Sequence, residues 1–136
     1  MNPLPFETRP RILVADDARD VADVYCFLLS AAGYRVSRAY DGLTALSLAK
    51  VTKPDAAVLN QNMPGLTGLQ VLRELREAGV QTKVIITSAA GAFNELALRA
   101  VEEGADYCVQ QPCPPQNLLT MLAGALDRAR GFRAGI

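Results

Sequence analysis

Short apolar runs alternate along this chain with longer segments in which apolar residues recur every three or four positions. The short runs Ile12–Ala15, Arg35–Ala39, Ala56–Leu59, Val84–Thr87 and Tyr107–Gln110 are strand candidates. Several are almost continuously apolar, which suits parallel strands covered on both faces. The intervening segments have helical spacing. In the first, Val21, Val24, Tyr25, Leu28 and Ala32 predict a buried stripe. The third carries Leu69, Leu72 and Leu75, with Thr67 placed as its N-cap. In the fourth, Phe93, Ala97, Ala100 and Val101 share a face, and the last offers Leu118, Leu122 and Leu126. Gly33, Gly79 and Gly104 follow three of these helices, and Pro114 and Pro115 suit the first turn of the last.

Five strands alternating with five helices predict an open α/β fold around a parallel sheet, with right-handed crossovers limiting the topology. Such sheets place their site beyond the carboxyl ends of the strands, near the switch point of the topology. Residues 1–10 hold Pro3, Pro5 and Pro10 and show no periodicity, so a flexible N-terminal arm is expected there. Residues 131–136 read as a tail or the stub of a linker.

Composition narrows the function. The 136 residues fit one domain, and half of them are hydrophobic, enough to fill its core. Fourteen basic and fourteen acidic residues cancel, so no overall field favours nucleic acid or anionic lipid. The short basic run Arg128, Arg130, Arg133 suits a solvated helix C-terminus better than a nucleic-acid patch. Histidine is absent, and Cys26, Cys108 and Cys113 form no CxxC pair, which excludes the usual zinc sites and His-dependent triads. An odd cysteine count without a signal peptide points to a cytoplasmic location. No apolar run has the length of a bilayer span.

The strand ends carry the candidate chemistry. Asp16 and Asp17 follow the first strand, either as a cap and a dipole partner of the next helix or as paired oxygen ligands for Mg²⁺. Asn60 ends the third strand, before Asn62 and the Pro64-Gly65 turn. Ser88, followed by small residues, ends the fourth, and Gln110-Gln111-Pro112 ends the fifth.

The segments ILVADD, PDAAVLNQNMPGLTGLQVLRELRE, VIITSA and GADYCVQQP, in this order, resemble the receiver domains of two-component response regulators. The resemblance covers residues 11–130. It implies a doubly wound, flavodoxin-like five-stranded sheet of order 2-1-3-4-5, flanked by five helices. It further implies metal ligation by Asp16, Asp17 and the Asn62 carbonyl, a switch hydroxyl at Ser88, and a cis bond before Pro112. Three positions depart from the family pattern. The phosphate-accepting aspartate is Asn60, the lysine before proline is Gln111, and the switch aromatic is Cys108.

A carboxamide is a poor nucleophile for phosphoryl capture, and no lysine is present to pair with a bound phosphoryl group. Two aspartates without a lysine carry the same net charge as three with one, so the two losses look matched. An amide–amide hydrogen bond between Asn60 and Gln111 is therefore expected to replace the family's ion pair. These features predict a non-enzymatic, degenerate receiver that works in a phosphorelay by protein contact, without being phosphorylated. It should require no cofactor and bind Mg²⁺ only weakly. Expected partners are a histidine kinase, a phosphotransfer protein or an output protein, with a homodimer as a further option and no role for nucleic acid or membrane. Phe27 and Leu98, off their buried stripes, mark candidate partner surfaces, and Cys108 is expected to look outward. A second reading is an ordinary phosphorylatable receiver in which Asn60 replaces the natural aspartate. A flavin carrier is excluded, because Asp16 and Asp17 would repel a flavin phosphate.

Overall fold

The computed structural model describes residues 4–89 and 93–129. The expected tail at 131–136, the basic run Arg128, Arg130, Arg133 and the side chain of Phe93 lie outside the described residues and side chains. Five strands, β1 (Arg11–Ala15), β2 (Arg35–Ala39), β3 (Ala56–Asn60), β4 (Lys83–Ser88) and β5 (Tyr107–Gln110), form one sheet in the order β2-β1-β3-β4-β5. Every pairing in it is parallel. The connecting helices are α1 (Arg19–Ala31), α2 (Gly42–Thr52), α3 (Gly68–Glu77), α4 (Phe93–Glu102) and α5 (Pro115–Ala129). This is the expected flavodoxin-like architecture, and the strand bounds agree with the apolar runs to within a residue at either end.

Alternation along the strands divides the core into two layers. In β1, Ile12 and Val14 pack with Ala22, Tyr25, Cys26 and Leu29 of α1 and with Leu118, Leu122 and Leu126 of α5. Leu13 and Ala15 point the other way, toward Ala45 and Ala49 of α2, Leu69, Leu72 and Leu75 of α3, and Leu96 and Ala100 of α4. β3 splits likewise, with Ala56 and Val58 on one side and Ala57 and Leu59 on the other. Burial of both faces explains why these runs are apolar throughout.

Two helix phases differ from expectation. In α1 the buried residues are Ala22, Tyr25, Cys26 and Leu29, whereas Val24 is 52% exposed and Ala32 also lies outside. In α4 the buried pair is Leu96 and Ala100, while Val101 faces solvent. Both segments hold more apolar residues than one face can accommodate, so periodicity does not fix their rotation. The small residues Ala22 and Ala100, each fully buried, let the helices approach the sheet and set the phase. In α3 the apolar residues fit one face and the phase is as expected. Its start is also fixed: the Thr67 hydroxyl accepts from the Gln70 amide and the Gln70 side chain accepts from the Thr67 amide, a reciprocal cap.

The segment before β1, for which a flexible arm is expected, carries local structure in its described residues 4–10. A 3-10 turn at Phe6–Thr8 places the Phe6 ring beside the Arg9 and Arg35 guanidinium groups. Arg35 Nε donates to the Arg9 carbonyl at 2.9 Å.

Gly68 opens α3 directly against the end of β3. A Cβ there would lie 2.7 Å from the Asn60 carbonyl oxygen. Gly68→Ala should therefore destabilise the fold by about 1–3 kcal/mol, although alanine is the better helix former. Leu72→Ala, at a fully buried position, should cost about 2–5 kcal/mol. Both are read from urea unfolding midpoints; a neutral Gly68→Ala would show that α3 can back away from β3.

Candidate functional site

β1 and β3 are neighbours in the sheet, but α1 lies on one face and α2 and α3 on the other. The chain thus diverges at the carboxyl ends of these strands, leaving a recess there. Asp16 directly follows β1, Asn60 ends β3, Ser88 ends β4 and Gln111 directly follows β5. Backbone bonds from Gln61 to the Thr87 carbonyl (2.8 Å) and from Gln111 to the Ser88 carbonyl (2.7 Å) hold these ends together.

Asp16 is the hub. Its carboxylate is 3% exposed. Oδ1 accepts from the Ala18 amide and from Asn60 Nδ2, both at 3.0 Å, and Oδ2 accepts from Gln111 Nε2 at 3.3 Å. Asn60 Nδ2 also donates to the Asn62 carbonyl at 3.1 Å, while Asn60 Oδ1 accepts from the Asn62 amide at 3.4 Å. Chemistry fixes the orientation of this amide. Reversing it would set its oxygen against two acceptors and its NH₂ against a donor.

The expected amide–amide bond between Asn60 and Gln111 is therefore replaced by convergence of both amides on one carboxylate. A buried ionised oxygen is the stronger acceptor, and it would be costly to leave without donors.

The remaining predicted residues are placed as follows. Asp17 is exposed beside Asp16, and Asn62 is exposed after β3. The Ser88 hydroxyl is buried and donates to the neighbouring Ala89 carbonyl at 3.1 Å. The Gln111–Pro112 bond is cis. Cys108, expected to look outward, is instead half-buried and packed against the α2–α4 layer. Burial pushes its thiol up, as it does those of Cys26 and Cys113, and none of the three has the environment of a reactive thiolate. Phe27 and Leu98 are 72% and 71% exposed, on α1 and α4, away from this recess.

Two contributors have no signal in the sequence. The Tyr25 hydroxyl, raised chiefly by burial, donates to the Cys113 carbonyl at 3.4 Å, beside the Gln111 loop. Gln61 Oε1 accepts from the Leu69 amide at 2.9 Å, tying the β3 loop to α3.

The oxygens expected to ligate a metal are engaged within the protein. Both Asp16 oxygens and the Asn62 carbonyl already accept N–H groups, and the Asn60 NH₂ points between them. No group of three or more Asp, Glu, Cys or His side chains among the described residues is arranged to hold a metal. Among the described residues, no helix is long and apolar enough to cross a membrane.

Comparison with known proteins agrees with this geometry. The family model of the response regulator receiver domain matches residues 12–123. Response regulator MprA of Mycobacterium avium (strain 104) is 36% identical over 120 residues, covering 88% of this chain and 52% of that protein. MprA of Mycobacterium sp. (strain KMS) is 37% identical over 118 residues, covering 87% and 51%. The chain thus spans about half the length of the curated relatives it matches. The receiver domain of a Francisella response regulator superposes with a TM-score of 0.83 at 29% identity, covering 89% of this chain and 99% of that one. A response regulator receiver domain protein of Clostridium thermocellum gives 0.84 at 28%, covering 89% and 97%. The chain therefore belongs to the response regulator receiver domain family of two-component signalling.

Proposed function

We propose that this receiver signals by protein contact and does not accept a phosphoryl group at position 60. The observation that carries this reading is the hydrogen bond from Asn60 Nδ2 to Asp16 Oδ1. The acceptor position offers an N–H where a phosphotransfer reaction needs a carboxylate oxygen. Gln111 supplies a neutral amide where a charge-assisted partner for the phosphoryl oxygens would stand. Its Nε2 is engaged by Asp16. The same occupied oxygens make Mg²⁺ binding weak, since the ion sheds water reluctantly and would have to displace two amides. The partner is a histidine kinase, phosphotransfer protein or output protein in the cytoplasm. Exposed Phe27 on α1 and Leu98 on α4 are the candidate contacts.

Incubation with a small-molecule phosphodonor and Mg²⁺ should leave the intact mass unchanged. Asn60→Asp alone should gain little labelling, whereas Asn60→Asp combined with Gln111→Lys should gain it. Full labelling of the single variant would overturn the reading and favour an ordinary receiver that had lost one aspartate.

Stability should follow the same logic. Asn60→Asp sets a second carboxylate beside Asp16 and should cost about 1–3 kcal/mol at neutral pH. Adding Gln111→Lys should recover part of that loss. Urea unfolding of the four proteins of this cycle measures both effects, and strictly additive changes would show that positions 60 and 111 do not act together.

A further inference from the structure

The amino ends of the strands, opposite Asp16, hold a concentration of positive charge. Arg11 of β1 and Arg35 of β2 are cross-strand partners in a parallel pair, so their side chains leave the same face of the sheet. Arg9 joins them through its carbonyl, which accepts from Arg35 Nε. Arg9 Nε in turn donates to the Leu4 carbonyl at 3.1 Å. The Arg9 and Arg35 guanidinium carbons stand 5.7 and 6.0 Å from the centre of the Phe6 ring. Each of these two is thus held by its Nε and by an aromatic ring.

The three arginines line a depression of about 390 Å³ together with Phe6, Val36 and the hydroxyl-bearing Ser30, Tyr34 and Ser37. Among the described residues, no carboxylate lines it. The nearby Asp55 accepts from the Arg11 backbone amide, and none of the three guanidinium groups forms an ion pair with a described residue. By contrast, Arg38 and Arg73 on the same protein are paired with Asp23 and Glu103. The chain as a whole carries no net charge, so this surplus is local. Like charges gathered around one depression repel, and a multiply charged anion would relieve that repulsion.

The geometry points to a binding site for a phosphate-bearing small molecule in this depression. Guanidinium forks match phosphate oxygens bidentately, and the Ser30 and Ser37 hydroxyls stand among them. A volume of about 390 Å³ exceeds that of a lone inorganic anion and suits a phosphate ester or a diphosphate. The site lies at the far end of the sheet from Asn60 and does not depend on whether that position is phosphorylated.

The test is an amide NMR titration of the full chain with inorganic phosphate and with pyrophosphate, against sodium chloride at matched ionic strength. Saturable shifts confined to residues 6–11 and 30–37, tighter for pyrophosphate, are expected. Arg11→Gln should weaken pyrophosphate binding about tenfold or more. It should not change the melting temperature, because the Arg11 guanidinium holds no described residue in place. Lys50→Gln on exposed α2 should bind as the parent does. Shifts reproduced by chloride, shifts centred on Asp16 and Asn60, or unchanged binding by Arg11→Gln would each overturn the assignment.

Discussion

Everything around the recess follows from burying the carboxylate of Asp16. A charge shielded from water is tolerated only when its oxygens are met by donors, and stripping them away would cost several kcal/mol. Here the donors come from three places: the Ala18 amide in its own loop, Asn60 at the end of β3 and Gln111 after β5. One side chain therefore gathers the carboxyl ends of strands that are not all neighbours in the sheet. In the wider family a metal and a lysine are expected to satisfy such an acid. In this chain two neutral amides donate to it.

The network also reaches both helix layers. Tyr25, which belongs to the α1–α5 layer, donates to the Cys113 carbonyl in the Gln111 loop, while Gln61, next to Asn60, is bonded by the first turn of α3 on the other face. Gly68 permits that approach by leaving space for the Asn60 carbonyl. The Ser88 hydroxyl is satisfied within its own loop rather than by Asn60. Such an arrangement favours one fixed shape of the recess.

Much of this was legible in the residues. Strands buried on both faces announce themselves as apolar runs, and position alone singled out Asp16, Asn60, Ser88 and Gln111 as the strand-end residues. The partner of each amide was not legible. Asn60 and Gln111 suggested a bond to each other, because sequence shows which groups are present but not which acceptor is buried and charged. The rotation of α1 and α4 was hidden for a different reason. Residues 24 to 29 of α1 are all apolar apart from the tyrosine hydroxyl and the cysteine thiol, so several faces look equally suited to the core. Tertiary contact through Ala22 and Cys26 decides between them. Periodicity marks Tyr25 as buried, but its hydrogen bond to the Cys113 carbonyl joins parts of the chain too far apart for any local pattern to reveal.

β2 is one of the two free margins of the sheet, with unpaired backbone groups along its outer side. Such a margin is a template for another strand, and a chain that left it bare and apolar would risk stacking end on end into fibrils. Here the strand is only five residues long and carries Arg35 and Arg38, with the docked N-terminal segment folded against its start. Charge, shortness and cover together discourage growth of the sheet in that direction. The exposed side chains of the helices, unlike a bare backbone edge, offer a chemistry that can discriminate one neighbour from another.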